Sequence, residues 1–168
     1  MKPAKAFTLV EILIVVVILG IIAAVALPRF SNASAMARAS MLADDLRVMR
    51  IQLAVYKGQH LGVSAGYPGG NPSLPPTEPA FVAHMTLASD EYGQTAPPGT
   101  PGFRFGPYLS EMPVNPVNGK VSVQIVGDQE QFPAQPDDSH GWIYQPSTLT
   151  LRGDCAGSDE SGRSYFDY

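Results

Sequence analysis

The chain opens on a block of apolar residues and then switches to an alternation of apolar and polar positions. Residues 7–27 read FTLVEILIVVVILGIIAAVAL, and from Ile12 to Leu27 no position is charged. At about 1.5 Å per residue, a helix of that length reaches about 30 Å, the thickness of a bilayer's hydrocarbon core. One carboxylate, Glu11, stands inside the block. A charge at the bilayer centre costs about 2.5–3.5 kcal/mol, so this position needs a physical reason. Further on, Leu42, Leu46, Met49, Leu53 and Tyr56 recur at alternating spacings of four and three. That is the stripe of an amphipathic helix turned towards its own core. Alanines at 33, 35, 37, 39 and 43 raise helix propensity and allow close approach of neighbours. Gly58, with Gly62 soon after, marks the expected C-cap. As one helix, residues 7–58 run about 78 Å, with a kink or local unwinding expected at Pro28, whose ring crowds the preceding turn.

The remaining pattern is broken. Residues 58–80 hold Gly, Pro, Ser and Asn throughout, without a sustained period, and read as loop. Thr77-Glu78-Pro79 is a helix start, with Thr77 as N-cap and Pro79 in the first turn; this helix is expected to run to about Asp90. Residues 93–102 read as loop again. Val121, Val123 and Ile125 alternate with Ser122 and Gln124, the pattern of a half-buried strand. Trp142-Ile143-Tyr144 and Leu149-Thr150-Leu151 flank a Gln145-Pro146-Ser147 turn and read as a hairpin. Three short strands on one helix predict an α+β fold with a small antiparallel sheet.

Composition and charge narrow the chemistry. Residues 59–168 contain 14 Gly and 14 Pro, so ordered elements there must be short. The net charge of −4 divides unevenly: residues 29–58 carry +3 and residues 59–168 carry −8. An acidic head argues against nucleic-acid binding, which calls for a basic patch. The single cysteine, Cys155, excludes an internal disulfide and any multi-cysteine metal site. His60, His84 and His140 lie far apart in sequence with no metal-ligand spacing. Ser139-His140 beside Asp137 and Asp138 reads as a solvated acidic turn rather than part of a hydrolase site. No phosphate-binding glycine loop is present: residues 66–70 lack the lysine and the strand–helix setting. No residue is assigned a catalytic role, and the chain is not expected to be an enzyme.

Lys2 and Lys5 give the apolar block a basic flank, and Ala24-Val25-Ala26 has the form of a signal-peptidase site, so a secretory signal or a plain anchor would suit most of it. Neither accounts for Glu11. The run Lys5-Ala6-Phe7-Thr8-Leu9-Val10-Glu11, however, resembles the processing motif of type IV prepilins and type II secretion pseudopilins. The resemblance implies cleavage by a prepilin peptidase between Ala6 and Phe7, N-methylation of Phe7, and an assembly role for Glu11. That family usually has Gly where Ala6 stands, and often a proline where Pro28 ends the apolar run. It also implies the fold: a pilin-like α+β subunit whose long N-terminal helix, half transmembrane and half amphipathic, packs on the sheet of a small head. The boundaries are then a leader at 1–6, a transmembrane helix at 7–28, a periplasmic stem at 29–58 and a head at 59–168.

The segments GPYL, PVNP and GWIY further resemble the head of the type II secretion major pseudopilin. The implied function is a structural subunit that polymerises from the inner membrane into a pseudopilus driving protein export. Its partners would be copies of itself, the prepilin peptidase, other pseudopilins and the inner-membrane secretion platform. A type IV pilin for adhesion, motility or DNA uptake is the alternative, although such pilins more often close the head with a cysteine pair. A soluble periplasmic binding protein released by signal peptidase is a further one. The resembled pseudopilins commonly hold calcium in a C-terminal acidic loop, for which Asp154, Asp159 and Glu160 offer oxygen ligands. The family's closing tryptophan segment is missing, and without calcium residues 153–168 read as a disordered acidic tail.

Overall fold

The computed structural model describes residues 8–168, the side chains of residues 25–33 excepted. Two compact units divide the chain, Met1–Ala37 and Arg38–Tyr168. Helix α1, Leu9–Gln59, contributes to both. In the first unit the large apolar side chains of its described residues are exposed all round, from Val15 at 48% to Leu9 at 83%. Among the described residues, no helix is long and apolar enough to cross a membrane. Helical backbone continues through Pro28, whose ring is not among the described side chains.

The second unit is built on the C-terminal half of α1. Leu42, Leu46, Met49, Leu53 and Tyr56 are each at most 1% exposed and join one core with Phe81, Met85, Val123, Trp142, Tyr144 and Leu151. The four-and-three spacing therefore marks the buried face, as expected. The helix runs past Gly58 and closes where Leu61, left-handed at φ 55°, turns the chain so that the Gly62 N–H reaches the Lys57 carbonyl. Leu61, followed by Gly62 at φ 82°, and not Gly58, supplies the left-handed position of the cap.

Helix α2, Glu78–Thr86, starts as its sequence predicts: the Thr77 hydroxyl accepts the Ala80 N–H, and Pro79 sits in the first turn. It ends four residues short of Asp90, because the chain turns extended at Leu87 and pairs as strand β1 (Ala88–Ser89) with β2 (Thr95–Ala96). Residues 93–102, expected to be loop throughout, thus contain a strand too short to show periodicity. The turn between β1 and β2 passes so close to the 67–70 turn that a Cβ on Gly70 would lie 1.8 Å from the Tyr92 carbonyl oxygen. Only glycine fits that approach.

Strands β3 (Val123–Ile125), β4 (Trp142–Gln145) and β5 (Thr150–Gly153) form the main sheet in that order. The β4–β5 hairpin is antiparallel as predicted, with Tyr144 opposite Leu151. Strand β3 instead lies parallel to β4, Val123 opposite Trp142. The architecture is α+β and pilin-like, but the sheet is mixed rather than wholly antiparallel. Residues 126–141 make a long connection, and a crossover of a dozen or more residues returns the chain in the same direction where a tight turn reverses it. Side chains of β4 alternate across the sheet: Trp142 and Tyr144 enter the core against α1, while Ile143 faces a second cluster with Val126, Phe166 and Phe132.

That second cluster orders the C-terminal segment, in contrast to the disordered tail expected there. Tyr165 and Phe166 are buried in a 3-10 turn, Tyr165–Asp167. Arg50 on α1 donates to the carbonyls of Leu151 and Tyr168, and Arg152 donates to the Phe166 carbonyl while facing its ring. Asp159 accepts the hydroxyls of Ser161 and Tyr168 and the N–H groups of Ser161 and Arg163. These donors hold its carboxyl down at about 2.

Candidate functional site

Of the residues carrying the processing motif, Ala6 and Phe7 lie outside the described residues. Glu11 is described. It occupies the first turn of α1, exposed, and its backbone N–H donates to the Thr8 hydroxyl at 3.2 Å. Thr8 is thus an N-cap, and Thr8-x-x-Glu11 has the spacing of a capping box. A carboxylate in the first turn also opposes the positive end of the helix dipole. This local role was legible in the sequence as threonine followed three residues later by glutamate. It accounts for Glu11 within one chain without excluding a partner on another.

The three histidines do not behave as their separation in sequence suggests. His60 and His84 both stack on the buried Tyr56 ring, with centroids 3.8 and 4.9 Å away. His60 bonds the Tyr56 carbonyl through Nδ1 and the Ser89 hydroxyl through Nε2. His84 accepts the Gly66 N–H at Nδ1, so its proton sits on Nε2, which donates to the Gly93 carbonyl at 3.0 Å. Burial pushes His84 down to about 4 and lowers His60 as well. The neutral rings work as spacers that satisfy peptide groups where α1, α2 and the 64–70 loop converge.

His140 belongs to a different cluster. Asp137, His140 and Asp154 each bring a metal-ligating atom within 4.8 Å of one another. From its sequence the turn at residues 137–140 is expected to be solvated. Its exposed rim is that, but its centre is Asp154, seventeen residues on and fully buried. The Asp154 carboxylate accepts the backbone N–H groups of Asp137 at 2.9 Å, Asp138 at 3.2 Å and His140 at 2.8 Å. Asn118 clasps the same place from behind, donating to the carbonyls of His140 and Asp154. Converging peptide dipoles stabilise a buried carboxylate without a cation. Asp154 and Asp159, two of the residues that calcium would need, sit in separate turns with their oxygens already accepting, and Glu160 is exposed. Ser139 Oγ lies 2.7 Å from His140 Nδ1 and 3.4 Å from Asp154 Oδ2. Sequence spacing had no means of bringing Asp154 to this turn, because the β4–β5 hairpin makes that juxtaposition.

Residues 1–27 match the model of the prokaryotic N-terminal methylation motif. The chain is 39% identical over 70 residues to the type IV major fimbrial protein FimA of Dichelobacter nodosus. That match covers 40% of this chain and 45% of the relative, so the chain spans less than half the length of that protein. No solved structure matches. With the helix on a small sheet already in place, the motif and the fimbrial relative agree: the chain is type IV pilin-like, with a prepilin-type methylation motif at its start.

Proposed function

We propose that this chain is a non-enzymatic filament subunit, cut between Ala6 and Phe7, methylated on Phe7 and assembled from a membrane through residues 7–28 while the 59–168 head stands outside it. The observation that carries this reading is the motif at residues 1–27 together with the lack of a buried face on the helix within it: its apolar side chains from Leu9 to Ile22 are all about half exposed or more. Such a surface is stable only in lipid or against other subunits. Glu11 then pairs with the Phe7 amine of an adjoining subunit, the cation closest to hand after cleavage. The test is Glu11→Gln, which keeps the shape and the helix cap's length but removes the charge. Filaments should fail to assemble, while normal assembly by that variant would refute the pairing. Mass spectrometry of the protein from membranes should find methylated Phe7 as the first residue; a mature chain starting at Leu27 would show a cleaved signal peptide instead.

Between the two filament classes, similarity to a fimbrial protein favours a type IV pilin over a type II secretion pseudopilin. One observation favours the second reading: Cys155 is a free, buried thiol, so no cysteine pair closes the head. Deleting the subunit separates them. A pilin deletion abolishes surface fimbriae, attachment or twitching and leaves export intact; a pseudopilin deletion traps secreted proteins in the periplasm.

A further inference from the structure

Two surfaces of the unit Arg38–Tyr168 have no partner within it. The first is a second stripe on α1. Met41, Val48, Ile51 and Val55 are 40–57% exposed, and their spacings of seven, three and four place them on one helix face, away from the buried stripe at Leu42, Leu46, Met49 and Leu53. Asp44 occupies the remaining position of that repeat. Arg47 borders the stripe and is exposed, and its side chain makes no hydrogen bond or ion pair among the described residues. The second surface is a groove of about 610 Å³ between α2 and residues 110–122, lined by Val82, Met112, Val114 and Val121 with Glu78 and Glu111 beside them. Glu78 is engaged with the Val123 N–H. Glu111 is exposed and likewise unpaired among the described residues.

We propose that the outward stripe of α1 on one copy seats in this groove on a second copy, with Arg47 of the first facing Glu111 of the second. The inference rests on the filament reading above and names the surfaces that meet. An aliphatic helix face with anchors at these spacings is the shape a groove accepts when aliphatic side chains line it between polar ones, as Val82, Met112, Val114 and Val121 do here. The charges agree in sign: a cation flanks the stripe and an anion flanks the groove, and the same asymmetry runs through the whole chain as a +3 stem and a −8 head. Like charges would oppose a head-to-head or stem-to-stem pairing. Stripe and groove are different surfaces, so the contact is heterologous; repeated, it builds an open helical polymer rather than a closed dimer.

The experiment uses the full chain in cells that process and assemble it. Val48→Cys combined with Val114→Cys should oxidise into a ladder of covalent multimers in sheared filaments. Val48→Cys combined with Ser147→Cys, in the β4–β5 turn, should not. Native Cys155 is buried and stays silent. Arg47→Glu and Glu111→Arg should each lower filament yield by roughly tenfold, and the two together should restore it. Both residues are exposed, so thermal melts of the variants should match the parent; if either variant unfolds, the cysteine pair still decides. Filaments without the Val48–Val114 ladder, or charge reversals without effect, would overturn this contact and leave the filament reading standing. A parent chain that makes no filaments would remove both.

Discussion

At the residue scale, the buried histidines and the buried thiol of the head act through neutrality. Ordinary His titrates near 6.5, whereas burial of its ring pushes His84 in the fold down to about 4, with neighbouring His60 acting in the same direction. A lowered folded value means that the unfolded chain takes up the proton first. His84 therefore contributes stability that is present above about pH 6.5 and is lost as pH falls from there towards 4. Thermal melts of the head should show a loss of about 1–3 kcal/mol across that window. In His84→Gln the slope should flatten; an unchanged slope would assign the acid sensitivity elsewhere. Cys155 offers a second check, since burial pushes its thiol up to about 11. The native protein should resist a thiol reagent at pH 8 and react fully in guanidinium. Labelling of the native state at the unfolded rate would place Cys155 at the surface.

At the element scale, the head hangs on one face of one helix. Leu53 is 1% exposed in the centre of the stripe, and Leu53→Ala should cost about 2–5 kcal/mol, from lost transfer energy plus the cavity left behind. Chemical denaturation of the head measures it, and a change below about 0.5 kcal/mol would mean that the face is not core. Val48, on the outward face, should tolerate alanine with little change in the same assay. The stripe and the Thr77 start of α2 were legible because each is a local pattern with a local cause: period 3.6 and an N-cap hydroxyl. Strand β2 and the parallel setting of β3 were not. Two residues carry no period, and strand direction depends on the path of residues 126–141, not on Val123-Gln124-Ile125.

At the scale of the whole molecule, residues 38–168 form one compact unit with a complete core. A fragment of residues 29–168 should be soluble and give a single cooperative melt; aggregation on removal of residues 1–28 would show that the head depends on them. With its charge of −8, the head should not bind DNA at any salt concentration, as binding of that kind depends on clustered Lys and Arg. A salt-dependent shift in a gel assay would return DNA uptake to consideration. The sequence by itself determined the processing motif, the all-round apolar block, the buried stripe of α1 and the sign of the charge. Those are properties of neighbours in the chain, and they were readable because cleavage motifs, helix faces and net charge need no third dimension. Tertiary structure alone decided that His60 and His84 meet on Tyr56, that Asp154 holds the 137–140 turn, that Phe166 covers Ile143 and so orders the tail, and that a groove opens beside α2. Each brings together residues from different elements, and closing the chain around the α1 core supplies that proximity.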